Sequence, residues 1–301
     1  DGIPECGTDA LRFALLAYMV QSSINLDVKH VVGYREFCNK LWNIIKFGLS
    51  NFPADFKPRK NGVKGLEKQL SLSDKWILTR LAQLVESTNA NFDNFRLGDM
   101  VNNLYDFWKK ELAAVYLEAL KPVMKGNDAK RKEAALNTLY ICLDYGLKML
   151  HPSMPFITEE LFQRLPHDPA TAPESICIAP FPTKCPSYEK QTVEEQMGQR
   201  LDTVGALRSQ LAALGVASNA KPTIAVQSRT PELHKMFLSQ KDIIEALVKS
   251  GETNIIAEGE AEPEGSLKGF VSEDISVYVK VIGLIDVKLE IARIAKQNGK
   301  L

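Results

Sequence analysis

Two segments of this 301-residue chain gather side chains suited to gripping an unstacked nucleic-acid base. One is Tyr34-Arg35-Glu36-Phe37-Cys38-Asn39-Lys40-Leu41-Trp42-Asn43-Ile44-Ile45-Lys46-Phe47; the other is Asp74-Lys75-Trp76-Ile77-Leu78-Thr79-Arg80-Leu81. Aromatic rings offer faces for stacking, amides and basic groups reach base edges, and cations neutralise phosphates. At helical spacing Asn39, Asn43, Lys46 and Ser50 share a polar face opposite an apolar stripe of Tyr34, Cys38, Leu41, Trp42, Ile45 and Leu49. The stripe also permits a plainer reading, in which Trp42 and Trp76 belong to a core. The Asn-rich face is harder to explain that way, because asparagine sacrifices helix propensity.

Charge supports the first reading only locally. The whole chain is neutral, with 37 cations and 37 acids. From Lys29 to Arg80, however, eleven Lys and Arg stand against four acids, a local excess of seven. The stretch Glu252 to Asp274 sets seven acids against Lys268. One basic region on a neutral protein suits contact with a phosphate backbone, and equally a solvated face.

Catalytic chemistry is not legible. The sequence has no glycine-rich nucleotide fingerprint, phosphate-binding loop or nucleophile elbow, and no His/Cys/Asp cluster at metal-ligand spacing. Cys6, Cys38, Cys142, Cys177 and Cys185 are odd in number and scattered, which reads as reduced thiols in a reducing compartment. His151 falls in a helix-stopping His-Pro pair, and His30, His167 and His234 are isolated, so all four read as structural or solvated. Glu159-Glu160 and Glu194-Glu195 read as acids favoured at helix starts. No apolar run reaches the ~20 residues a membrane span needs. The first residues carry no targeting signal and no initiating Met, so a fragment or processed product is expected.

The elements that must position these groups are mostly helical. Thr8-Asp9 can start a helix to about Val20 with Leu11, Leu15 and Tyr18 on one face. A second helix carries the Asn39 face, and residues 51–70, with Pro53, Pro58, Gly62 and Gly65, form a basic loop. Ser71 to Asp74 caps a third helix to about Asn89. A fourth is expected over about 96–120, stopping near Pro122, and a fifth over about 128–150, ending at His151-Pro152. A short sixth begins near Thr158. Long amphipathic helices on brief connectors predict an antiparallel bundle. Prolines and turn residues in 166–187 suggest a linker. Beyond it, helices over about 191–214 and 231–249 alternate with strands near 223–227, 254–256, 269–271 and 275–281, a small α+β module. Leu284, Val287, Ile291, Ile294, Asn298 and Leu301 then keep heptad spacing, the start of a coiled-coil arm.

Three phrases resemble one enzyme family, the class I aminoacyl-tRNA synthetases that handle valine, isoleucine, leucine and methionine. Phe37-Cys38-Asn39-Lys40-Leu41-Trp42-Asn43 is similar to the Phe-x-Asn-Lys-x-Trp-Asn signature of their anticodon-binding bundle. Asp74 to Leu78 is similar to its Asp-Arg-Trp-Ile-Leu phrase, and His151 to Leu161 to its His-Pro-x-Met-Pro-Phe-Ile-Thr-Glu-Glu-Leu phrase. Ile24-Asn25-Leu26-Asp27 followed by Gly33-Tyr34-Arg35 resembles the valine branch, and Gly2 to Phe13 its eukaryotic cytosolic form.

The resemblance implies a mainly α chain divided as follows: 1–30 a connector from a catalytic domain, 31–165 an anticodon-binding bundle, 166–187 a linker, 188–283 a small α+β domain, 284–301 a truncated coiled-coil arm. It implies valine tRNA, the enzyme's own catalytic domain and other translation proteins as partners, a cytoplasmic location, and no cofactor here. ATP and Mg would be bound by the catalytic domain, which in the family precedes this segment. Family position together with face geometry makes Arg35, Asn39, Lys40, Trp42, Asn43, Lys46, Lys75, Trp76 and Arg80 the candidate tRNA-binding residues. The chain departs from the family at Gln21-Ser22-Ser23, where Gly-Arg-Asp is usual, and at Lys109-Lys110, where an aromatic residue often stands. A second reading is a non-catalytic docking module, suggested by the acidic loop Glu258 to Glu264 and the heptads.

Overall fold

The computed structural model describes residues 4–20, 27–168, 172–186, 190–217 and 220–283. Gln21-Ser22-Ser23 and the heptads of 284–301 lie outside the described residues. The chain divides into two units at Val193/Glu194.

The first unit is a helical bundle. Its helices are α1 (Thr8–Ala17), α2 (Val28–Asn51), α3 (Leu72–Asp93), α4 (Leu97–Asp106), α5 (Leu117–Lys125), α6 (Ala129–Leu150) and α7 (Pro155–Phe162). A wide π-helical segment, Phe107–Tyr116, joins α4 to α5 without a break. Leu41, Ile45, Ile77, Leu81, Leu104, Trp108, Leu139, Leu143 and Leu147 lie in the core. Burial on this scale, at ~25 cal/mol per Å² of apolar surface, drives assembly that the helices could not sustain alone.

Glycine sets two of the close approaches. A Cβ on Gly48 of α2 would lie 2.7 Å from the Leu143 Cδ1 of α6. One on Gly146 would lie 2.6 Å from the Trp108 ring. Only hydrogen at these positions lets α2 and the π-helical segment pack so tightly against α6.

Several local expectations are corrected. In α1 the buried residues are Asp9, Ala10, Phe13 and Ala14, while Leu11 and Leu15 are 40% and 42% exposed. Two contacts choose that face. Phe13 packs its ring 4.9 Å from Tyr34 and 5.5 Å from Phe37. The Asp9 carboxylate accepts from the backbone N–H of Ile157 at 2.7 Å, capping α7. Thus 8–17 packs as part of the bundle unit rather than trailing from it. Nor does the fourth helix stop before Pro122: α5 carries that proline in its interior and runs on to Lys125. α7 begins at Pro155, not Thr158, since proline at the first helical position has no N–H to leave unpaired.

Residues 166–187 were expected to be a linker. Their described part packs on the bundle instead. The Ser175 hydroxyl donates to Glu159 at 2.6 Å, Ile176 is buried, and a short 3-10 turn spans Ile176–Ile178. Asn89 donates to the Pro182 carbonyl at 3.0 Å, and Phe181 meets Phe92 edge-on at 5.7 Å. Glu159 therefore holds this segment, a role beyond that of an acid at a helix start.

The second unit is α+β. Most of α8 (Lys190–Ala213) belongs to it, followed by β1 (Thr223–Ser228), α9 (Pro231–Ser239), α10 (Lys241–Val248), β2 (Glu252–Ala257), β3 (Ser266–Ser272) and β4 (Ile275–Lys280). The sheet order is β2-β1-β4-β3. β1 and β2 are parallel, joined by the α9–α10 crossover, and the other pairs are antiparallel. The helical stretch expected over 231–249 is two helices, with the break at Gln240. That break has a function in the core: the Gln240 side chain accepts from the fully buried Arg200 at 2.9 Å. Burial lowers Arg200 to about 10, still well above neutral pH, so the guanidinium stays charged.

Candidate nucleic-acid interface

α2 starts where Asp27 accepts from the Lys29 N–H at 2.9 Å and continues uninterrupted to Asn51. Its buried line is Val31, Phe37, Leu41, Ile44, Ile45 and Gly48. That line is rotated from the stripe expected from sequence. Trp42 is displaced out of the core and is 40% exposed. The reason is Gly48, whose contact with α6 adds to the inner face a position that an apolar count passes over.

The opposite face is the one that matters for binding. Arg35, Asn39, Lys40, Trp42, Asn43 and Lys46 are all exposed. At 100° per residue, Arg35, Asn39, Asn43 and Lys46 lie within one narrow sector, with Trp42 on its flank and Lys40 further round. Arg35 donates from Nη1 to the Glu5 carbonyl at 3.1 Å, which steadies the N-terminal end of this face.

Trp42 has a neighbour that the sequence did not announce. The Arg164 guanidinium lies 5.2 Å from its ring centroid, in cation–π range. Arg164 is itself aimed by Glu160, one turn earlier, through an Nε bond of 3.1 Å. The ring, the guanidinium and the neighbouring amides offer stacking, charge and base-edge hydrogen bonding side by side. Sequence spacing could not have found Arg164, which is over a hundred residues from Trp42.

The second candidate segment is different in kind. Asp74 is buried, and so is Trp76 at 7% exposure. Trp76 is therefore a core residue, and its ring is not available to a base. Ser71 and Asp74 form a complete capping box: the Ser71 N–H donates to the Asp74 carboxylate at 2.8 Å, and the Asp74 N–H donates back to the Ser71 hydroxyl at 3.2 Å. The Tyr116 hydroxyl donates to the other carboxylate oxygen at 2.7 Å. Burial raises Asp74 above the usual aspartate value even against these bonds. Arg80 is half-buried and donates from Nε to Glu111 at 2.8 Å. Lys75 is half-buried one turn from the cap. This segment builds the bundle, and α2 carries the open face.

The basic loop 52–70 is anchored rather than free. Val63, Leu66 and Leu70 are buried, and Gly62 and Gly65 adopt the positive φ the turns require. Lys57, Lys60, Lys64 and Lys68 remain exposed. Arg59 donates to Glu133 at 2.8 Å. At the Lys109-Lys110 departure, Lys109 lies over the Tyr105 ring at 4.8 Å and Lys110 pairs with Asp106 at 2.8 Å.

The helical unit and the small α+β unit that follows it are matched by known proteins. The family described as the anticodon-binding domain of tRNA ligase matches residues 74–227, and the chain belongs to that family. Its curated relatives are valine–tRNA ligases. The human protein is 39% identical over 97% of this chain, the Caenorhabditis elegans protein 36% identical over all of it, and the Arabidopsis thaliana protein named valine–tRNA ligase, mitochondrial 1, 35% identical over all of it. The chain spans about a quarter of the length of these relatives, from 23% of the human protein to 29% of the nematode one. The family match begins at Asp74 and leaves out α2, whereas the alignment to the valine ligases takes α2 in. The relatives' names include a mitochondrial form, so similarity does not choose a compartment. No helix among the described residues is long and apolar enough to cross a membrane.

Proposed function

We propose that this chain is the tRNA-gripping part of a valine–tRNA ligase and that the exposed face of α2 holds the anticodon of valine tRNA. The observation that supports this most is the convergence on one helix face of Arg35, Asn39, Asn43 and Lys46 beside the Arg164-backed Trp42. In this reading Trp42 stacks on a base, Asn39 and Asn43 meet base edges, and Lys40 and Lys46 meet phosphates. Lys75 belongs at the margin of the surface, while Trp76 and Arg80 support it from within the bundle.

Among the described residues no three carboxylate, imidazole or thiol groups converge as a metal site. As the family resemblance implies, ATP and Mg are assigned in this reading to the portion of the longer relatives that this chain does not span, and the joining of valine to tRNA to the longer protein. A cytoplasmic location and contact with other translation proteins remain part of the same proposal.

The test is salt dependence. Each lysine that neutralises a phosphate contributes about 0.7–0.9 to the slope of log affinity against log salt. Replacing Lys40 and Lys46 together by alanine is expected to reduce that slope by about 1 to 2 for a valine tRNA transcript. An unchanged slope would place the phosphates elsewhere on the protein.

A further inference from the structure

His151 and Cys177 form a pair for which the tRNA-binding reading has no use. His151 closes α6, and its Nε2 lies 3.1 Å from the Cys177 Sγ. Its Nδ1 lies 2.7 Å from the Thr158 Oγ1. The Thr158 hydroxyl gives its one proton to the Met154 carbonyl, also at 2.7 Å, so toward His151 it accepts. Nδ1 must then carry the hydrogen, and Nε2 of the neutral ring turns a lone pair to the thiol. Thr158 is fully buried, which keeps the ring in that orientation.

Cys177 is held just as definitely. Its backbone N–H donates to the Ser175 hydroxyl at 3.1 Å, and that hydroxyl donates to Glu159. Cys177 is an exposed residue. The other cysteines lack this combination. Cys142 is buried, and Cys6, Cys38 and Cys185 are only partly accessible. Burial pushes the Cys38 thiol to about 11 and the Cys185 thiol to about 12, and raises Cys142 well above its ordinary value. Thiols in such surroundings are poor nucleophiles.

We propose that Cys177 is a modification site, a thiol that His151 prepares for exchange with small disulfides. His151 Nε2 takes the S–H proton, and the Cys177 sulfur attacks one sulfur of the disulfide. A new S–S bond forms as the old one breaks, and the second half leaves as a thiolate that takes up, through water, the proton His151 had accepted, returning the ring to its neutral form. The small disulfide is the oxidant: the Cys177 sulfur is oxidised and the departing thiol is the reduced product. Burial, the largest influence on His151, lowers it below 6.5, while Glu159 and Asp9 oppose that shift. The ring is thus mainly neutral at pH 7 and free to accept. The turn beside it is fixed from a second direction by Arg12, which donates to the Pro152 carbonyl at 3.0 Å and to the Ser153 carbonyl at 3.3 Å.

The experiment exposes the folded chain to oxidised glutathione and follows each cysteine by peptide mass. Cys177 is expected to be modified about tenfold faster at pH 7 than an unstructured cysteine peptide and than the other four thiols. Its rate should show a limb that rises as His151 loses its proton, below pH 6.5. His151→Gln is expected to remove that limb and slow Cys177 about tenfold with the helical signal unchanged. Modification of Cys177 at the rate of the free peptide, or a limb that persists in His151→Gln, would overturn the assignment. If His151→Gln does not fold, the wild-type comparison with the peptide decides the matter by itself.

Discussion

Trp42→Ala is expected to weaken binding of a valine tRNA transcript about 5- to 150-fold, the equivalent of ~1–3 kcal/mol for one stacked base. The bundle should barely notice the change. Trp42 is 40% exposed, so its truncation opens no cavity in the core. What the folded state loses is chiefly the contact with Arg164, about 0.5–1 kcal/mol at an exposed site. Binding and stability therefore separate at this position. Trp76→Ala should do the reverse: it is buried, and its loss acts through a cavity, at about 3–5 kcal/mol. If instead Trp42→Ala leaves affinity unchanged in a filter-binding or fluorescence titration, the α2 face is not the stacking surface.

The second large effect concerns the support beneath that surface. Asp74→Ala is expected to cost the bundle about 2–4 kcal/mol in denaturant unfolding. The cap itself contributes ~1 kcal/mol, and losing the bond from Tyr116, whose hydroxyl keeps the Ala135 carbonyl at 3.2 Å, adds ~1–3 kcal/mol. Against a total stability of ~5–15 kcal/mol this is a large fraction. Tyr116→Phe, which removes the bonds to Asp74 and to the Ala135 carbonyl and leaves the capping box, should cost about 1–2 kcal/mol. The pH dependence has a definite sign. Burial raises Asp74 above 3.8 in the fold. Between that value and the folded one, the folded chain keeps a proton the unfolded chain has released, so this residue's contribution falls as pH rises through the window. Equal unfolding midpoints for wild type and Asp74→Ala would remove Asp74 from the account of what holds α3.

The two effects come from two separate family-like phrases and belong to different jobs, and the difference shows how much was legible beforehand. The start of α3 was readable because Ser71 and Asp74 at that spacing have a local reason to cap a helix. Bundle and α+β module were readable from periodicity, since β-branched runs such as Thr223 to Gln227 and helical stripes differ in repeat. The face of a helix that turns inward was less so. In α2 the spacing pointed to one stripe, and Gly48 turned a neighbouring one inward through Leu143, 95 residues away. In α1 the two exposed leucines suggested the inner face, but Phe13 and Asp9 had specific partners in α2 and α7. The polar face of Asn39, Asn43 and Lys46 survived the rotation because it lies opposite either stripe. Arg164 beside Trp42 and Cys177 beside His151 were invisible for a different reason: each pair meets only after the chain has folded back.

The central claim is that α2 reads an anticodon rather than merely attracting RNA. Binding of this chain to two valine tRNA transcripts, one with the native anticodon and one with the anticodon swapped, tests it most directly when measured at two salt concentrations. The account predicts tighter binding to the native anticodon at both salts, because base contacts specify while phosphate contacts only position. Equal binding to both transcripts, weakening alike as salt rises, would contradict it and leave a basic patch without sequence preference.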